Sequence, residues 1–337
     1  MDERKIRILQ AIINDYINSG EPIGSRTIAK KYDLGVSSAT IRNEMADLED
    51  MGYLEQIHSS SGRIPSDKGY RLYVDKLMRL SDLPLEEQIL IKENLLDSAL
   101  YEVDKIIRQS TALVSKLTDL ACLVKLPSII KSSLKSLQVI KIDGNNLLLV
   151  VITDNGIIKN SIVRVKNNLD SKSIVKLNNM LNDKLKGFNL EKLDFKYIDE
   201  LQDELTEFQD IFVPVIYKLY EMLTDINGSE IYMEGASNIF KYPEYNDIHK
   251  AKEFLSMLND KHKVEDLLES SSRISIRIGN ENFIDDAKTC SVISAVYSMG
   301  DKPIGTIGVI GPTRIPYSKI ISVINTIVKE MNDILIK

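Results

Sequence analysis

The stretch Val36-Ser-Ser-Ala-Thr-Ile-Arg-Asn-Glu-Met-Ala-Asp-Leu-Glu-Asp-Met51, closed by Gly52-Tyr53-Leu54, constrains this chain more than any other. It reads as one short helix with two unlike faces. Ser37 is suited to the N-cap, where its hydroxyl accepts a bond from an unpaired amide of the first turn. Ile41, Met45 and Leu48 recur at i, i+4 and i+7 and form a buried stripe. Gly52 suits the left-handed residue that ends a helix. The other face carries Ser38, Thr40, Arg42 and Asn43. Hydroxyls, a guanidinium and a carboxamide match the donors and acceptors on base edges in the DNA major groove. They also suit a plain solvated face, so the neighbouring segments have to decide.

Residues 2–19 read as a helix, with Ile6, Leu9, Ile13 and Tyr16 on one stripe. Gly20-Glu21-Pro22 ends it. Ser25 is placed to cap a second helix over 26–32, and Asp33-Leu34-Gly35 turns the chain into the helix that starts at Ser37. Two short helices joined by a glycine-containing turn make a helix-turn-helix. Residues 53–58 then alternate enough for a strand, 59–62 turn, and Arg63-Ile-Pro65 returns. A helix-turn-helix followed by a hairpin is a winged helix. Its wing tip holds Ser60, Ser61, Gly62 and Arg63, small residues beside a cation that can meet phosphate or enter the minor groove. A fourth helix opens at 66–69, with Tyr73, Leu77 and Leu80 on one side. Residues 1–80 hold twelve Lys and Arg against twelve Asp and Glu and are neutral. Placement therefore matters more than the sum. Arg26, Lys30, Lys31, Arg42, Arg63, Lys68 and Arg71 lie on the elements that would face DNA.

The 337 residues suggest two or three domains, and 43% hydrophobic content is enough to bury real cores. The net charge of −6 lies entirely in residues 81–337, which argues against a polyanion binder along the whole chain. Two cysteines, Cys122 and Cys290, make no disulfide framework, and buried thiols in a cytoplasmic protein are the simplest expectation. The N-terminal Met-Asp-Glu-Arg-Lys is not a signal peptide, and the longest apolar run, 147–152, is far too short for a bilayer. His58 and the other two histidines have no partners at metal-ligand spacing. A glycine-rich phosphate loop with a following lysine is also missing. We therefore expect neither an enzyme nor a cofactor or metal site.

Beyond a linker at 81–84, residues 85–120 read as a long helical region, closed by Pro127. Strands are expected over 137–143, 147–153 and 157–165, with turns at Gly144-Asn-Asn and Asp154-Asn-Gly156. Residues 167–227 then read as helices interrupting a strand-bearing domain. Their apolar residues, Leu177, Leu181, Leu185, Phe188, Leu205, Phe208, Phe212, Ile216 and Leu219, suggest a dimer contact. Strand character returns at 230–233, helices follow over 248–269, and strands over 273–279, 287–297 and 304–310 precede a last helix opening near Pro316. The expected fold is α+β and multidomain. It divides into a winged helix at 1–80, a mixed domain with an antiparallel sheet in two parts, 81–166 and 228–337, and a helical insertion at 167–227.

The stretch at 37–49, Gly62-Arg-Ile-Pro-Ser-Asp-Lys-Gly-Tyr-Arg71, Gly235-Ala-Ser-Asn238, Arg277-Ile-Gly-Asn-Glu-Asn282 and Gly308-Val-Ile-Gly-Pro-Thr-Arg314 together resemble the bacterial HrcA family of heat-inducible transcription repressors, nearly end to end. The resemblance implies a winged-helix domain, a GAF-like domain and a dimerising domain inserted into it. It also implies a homodimer on an inverted-repeat operator of double-stranded DNA upstream of chaperone operons. The GroEL chaperonin would maintain the repressor, and heat would release it. At family level it assigns DNA-facing roles to Ser37, Ser38, Thr40, Arg42, Asn43 and Arg63, which Arg26 and Lys68 join by their position. Arg314 is expected to pair with Glu281 or to bind an anion. The competing expectation is a winged-helix regulator that senses a small molecule through its GAF-like domain.

Overall fold

The computed structural model describes residues 1–57, 62–98, 103–126, 132–166, 170–193, 196–198, 209–224, 231–269 and 272–335. Helix α1 (Glu3–Ser19) is capped by the Asp2 carboxylate, which accepts from the Lys5 amide at 2.8 Å. Ile8, Leu9, Ile12 and Ile13 bury its inner stripe. Helix α2 (Ser25–Lys31) starts at Gly24, so the expected Ser25 cap is not made and Ser25 is the first helical residue. Helix α3 (Ser38–Asp50) packs Ile41, Met45 and Leu48 against α1 and α2. The wing is shorter than expected. Strands β1 (Leu54–Glu55) and β2 (Ile64–Pro65) pair antiparallel over two residues each. A backbone bridge between Ile23 and Arg63, 2.9 Å in both directions, ties the returning strand to the segment before α2. The expected tip residues Ser60 and Ser61 lie outside the described residues. Helix α4 (Asp67–Leu72) follows and runs on as a π-helical turn, Tyr73–Leu77.

Helices α5 (Leu85–Ser98) and α6 (Val103–Thr118) lead into strand β3 (Ala121–Lys125), which the sequence reading missed. Asp119, at φ 55°, makes the left-handed turn that ends the helix. Strands β4 (Leu134–Lys141), β5 (Asn146–Thr153) and β6 (Ile158–Arg164) follow β3, and β7 (Ile231–Glu234), β8 (Ile274–Ile278), β9 (Cys290–Met299) and β10 (Lys302–Pro312) complete the set. A five-stranded antiparallel sheet runs in the order β7-β3-β10-β9-β8. Both its faces are covered. Cys122, Val124, Ile307 and Val309 point to α6 and to the last helix, α11 (Tyr317–Leu335). Ala121, Leu123, Val292 and Ile310 meet α9 (Ile248–Asn259) and α10 (Lys261–Leu268) on the other side.

The strands at 134–164 do not join this sheet. They form a separate three-stranded meander, β4-β5-β6. Leu137, Val139, Leu149, Val151 and Val163 of its inner face share a separate core with α7 (Ser171–Leu185) and α8 (Gln209–Thr224). This corrects the expected division, which gave the three strands to the mixed domain and began the insertion at 167. Sheet and helices make one unit. One edge of the sheet is closed by side chains of α7. Asn182 accepts from the Leu137 amide at 3.0 Å and donates to its carbonyl at 2.6 Å. Asn178 does the same for Val139, at 2.7 and 2.9 Å. Two asparagines one turn apart thus stand in for the strand that β4 lacks.

The winged helix is not a free appendage. Its core is continuous with that of α5, α6, α11 and the large sheet. Tyr70 is buried against Tyr317, ring centroids 5.8 Å apart. Asp67 accepts from both the backbone and the side-chain amide of Asn280, at 2.9 and 2.8 Å. Arg71 donates Nε to Glu281 at 2.8 Å and Nη2 to the Ile276 carbonyl at 2.6 Å. Burial raises the Glu281 carboxyl, but the bonds from Arg71 and the Ile278 amide outweigh it and hold it below its ordinary value. Arg314 therefore does not meet Glu281, as was expected. It pairs with Glu244, Nη2 to Oε2 at 2.9 Å, and lies 5.2 Å above the Tyr242 ring. Among the described residues no helix is long and apolar enough to cross a membrane, and no group of three or more His, Cys, Asp or Glu could hold a metal ion.

Candidate nucleic-acid interface

The start of α3 is organised by Ser37, whose Oγ accepts from the Thr40 amide at 3.2 Å and lies 3.0 Å from the Thr40 hydroxyl. Both hydroxyls are thus engaged at the cap, although each keeps further bonding capacity. Replacing Ser37 by alanine should cost about 1 kcal/mol, read as a lower denaturation midpoint; a change within error would remove the cap from the account. Ser38 is half-buried. Arg42 and Asn43 are exposed, as is Arg26 on α2. Among the described residues, none of these three side chains has a hydrogen bond or ion pair with the rest of the protein.

The carboxylates of α3 are treated differently. Glu44 is buried and held by Arg4 at 3.0 Å and Lys5 at 2.7 Å, and Asp47 meets Lys5 at 3.0 Å. The bonds to Glu44 and then Asp47 raise the Lys5 ammonium well above its ordinary value. Glu49 receives both Nε and Nη2 of Arg63 on one oxygen, each at 2.7 Å. Arg63 is thus folded back onto α3 rather than extended from the wing. Lys68 donates to the Met51 carbonyl at 2.8 Å and lies 4.6 Å from the centre of the Tyr53 ring. A cation there complements the negative end of the helix dipole.

Two glycines make this corner possible. Gly52, at φ 76°, takes the left-handed position, and the Gly52 and Tyr53 amides return to the Glu49 and Leu48 carbonyls at 2.8 and 2.9 Å. At Gly62 any side chain would meet the Ile23 backbone at 2.5 Å, so only glycine lets the wing root lie so close.

The arrangement separates the candidate residues into two groups. Arg42 and Asn43 project freely from the first half of α3. Arg63 and Lys68 gather at its far end, about 10 Å along the axis, and are occupied internally. The internal partners, Glu49 for Arg63 and Arg4 and Lys5 for the α3 carboxylates, were not recognised from sequence. The one available signal was that basic and acidic residues balance over 1–80. Chemically, the site is a helix presenting a guanidinium and a carboxamide at its exposed first half, with its own negative charges largely neutralised.

A helix-turn-helix followed by a hairpin, seated on a larger α+β body, is a winged-helix arrangement. The family profile described as the HrcA protein C terminal domain matches residues 104–321. The heat-inducible transcription repressor HrcA of Clostridium acetobutylicum is 54% identical over 333 residues, covering 99% of this chain and 97% of its own. That of Clostridium tetani is 54% identical over 336 residues, with 99% and 96% covered, and that of Clostridium perfringens strain 13 is 51% identical over 335, with 99% of each covered. A solved structure described as a hypothetical protein at 2.2 Å resolution superposes with a TM-score of 0.70, covering 100% of this chain and 99% of its own at 22% identity, a likeness of fold. The chain belongs to the HrcA family of heat-inducible transcription repressors, which are not enzymes.

Proposed function

We propose that this chain represses chaperone operons as a homodimer, each protomer seating the first half of α3 in the major groove of one half of an inverted repeat. In this reading GroEL maintains the active form and heat releases it, as the family resemblance implies. One observation carries the DNA-facing role. Arg42 and Asn43 are exposed and unpaired on the helix that the rest of the winged helix braces. Arginine suits guanine and asparagine suits adenine through paired bonds. Ser37, Ser38 and Thr40 lie at the same helix end, Arg26 flanks them on α2, and Arg63 and Lys68 supply charge for phosphates.

A single winged helix reads few base pairs, so two are needed for genomic specificity. Two-fold symmetry then sets the recognition helices a whole number of DNA turns apart, roughly 34–36 Å for one turn. Most of the apolar residues expected for a dimer contact on the helices at 171–185 and 209–224 turn inward, although Val175 and Tyr217 there are 59 and 52% exposed. Leu177, Leu181, Leu185, Phe212, Ile216 and Leu219 are spent on their own core, and Phe188 stacks on Tyr197. Leu205 and Phe208 lie outside the described residues. The outer face of the three-stranded sheet is the better surface. There Ile140 aligns with Leu148 and Ile162, and Ile152 with Ile158. Ile140, Ile158 and Ile162 are 46, 43 and 60% exposed.

Footprinting on the promoter of the chain's own operon tests the DNA reading. Replacing Arg42 by alanine should weaken the complex by about 1–3 kcal/mol and relax preference at one operator position. Equal affinity of variant and parent at fixed salt would remove Arg42 from the interface.

A further inference from the structure

We infer that Glu49 is a resident competitor for the wing arginine: its carboxylate holds Arg63 in the free protein and must give it up before the guanidinium can reach a DNA phosphate. The inference rests on the DNA-binding reading above.

Three observations carry it. Both Nε and Nη2 of Arg63 lie 2.7 Å from one Glu49 oxygen, so one edge of the guanidinium fork is directed at this carboxylate. Carboxylate and phosphate present similar oxygens to an arginine, and a guanidinium can exchange one for the other. Second, the Arg63 backbone is pinned to Ile23 in both directions, so the choice between partners falls to the side chain alone. Third, Glu49 sits in the last turn of α3, where a negative charge opposes the helix dipole. Among the described residues its side chain has no other hydrogen bond or ion pair. Its favourable electrostatic contact is Arg63, and removing it would leave Arg63 free to pair elsewhere.

The consequence lies in the ion balance. When Arg63 moves from Glu49 to a phosphate, the counterion released from the DNA is partly offset by the cations drawn toward the bare carboxylate. With glutamine at 49 the offset disappears. Glu49→Gln should therefore bind a random 30-base-pair duplex about two- to fivefold more tightly, the range that a partly exposed ion pair spans. Its affinity should also fall more steeply with salt, by up to about 0.9 in the slope of log K against log salt.

The test measures Glu49→Gln, Arg63→Ala and the double variant by fluorescence anisotropy across a salt series, with melting curves to check that each remains folded. A gain and a steeper slope that vanish in the Arg63→Ala background support the inference. No gain overturns it. A gain of the same size without Arg63 also overturns it, because Glu49 would then act only by repelling DNA. Binding of neither the random duplex nor the promoter fragment by the parent protein sinks the DNA reading together with this one. Binding by the parent with no effect of Glu49→Gln sinks this one alone.

Discussion

Phe212→Ala is expected to melt the insertion while leaving the winged helix folded. Phe212 is fully buried among Leu177, Leu181, Val151 and their neighbours in a core of its own. Truncating such a ring costs about 3–5 kcal/mol through lost burial and the cavity left behind. A small unit with a separate core has little stability to spare. Unfolding should therefore split into two steps, seen by calorimetry. Hydrogen exchange should accelerate at the amides of β4–β6 and not at those of α1–α4. If the sheet face makes the dimer, the variant should also sediment as a monomer. Uniform loss of protection along the whole chain would show that the two cores melt as one.

Arg314→Ala should cost about 2–3 kcal/mol. Breaking a fully buried ion pair costs about 3–5 kcal/mol, but the Glu244 side chain keeps 35% of its exposure, which discounts that figure. The arginine itself is only 8% exposed. It also reaches the Ile17 carbonyl at 3.4 Å and lies beneath Gly20, at the end of α1. Its loss should loosen the winged helix as well as lower the melting temperature, with faster exchange around residues 17–20. Arg314→Lys keeps the charge but not the fork or the stack on Tyr242, and should recover less than half of the loss. A cost below about 1 kcal/mol would mean that other contacts hold this junction.

What could be read from sequence was what neighbours in sequence decide. Ser37, the Ile41–Met45–Leu48 stripe and Gly52 delimit α3 within a residue, because cap, stripe and stop are all local. The turns expected at 144–146 and 154–156, found at 142–145 and 154–157, were legible for the same reason. Strand β3 was not. Ala-Cys-Leu-Val-Lys continues the apolar run of α6, and only the left-handed Asp119 separates helix from strand. Nor could periodicity say which core the strands at 134–164 would serve, since an alternating strand packs equally well on any apolar layer. The ion pairs were the least accessible. Arg71 and Glu281 are 210 residues apart and meet only when the winged helix docks on the large-sheet body, and Arg314 and Glu244, 70 apart, meet only when that body itself folds. At the candidate site, Arg26, Arg42 and Asn43, singled out from sequence, are exposed, whereas the Glu49 carboxylate that holds Arg63 back was not legible.

The asparagine pair on α7 bears on how copies of this chain can meet. A bare strand edge accepts another strand, and that one a third, without limit. Here the peptide groups of Leu137 and Val139 are already matched amide for amide by Asn182 and Asn178. A neighbouring chain therefore cannot extend the sheet at that edge without first displacing a helix. Contact across the flat outer face, in contrast, is saturated by a single partner. If two copies pair through that face as proposed, the capped β4 edge removes one route from a closed pair to an open fibre.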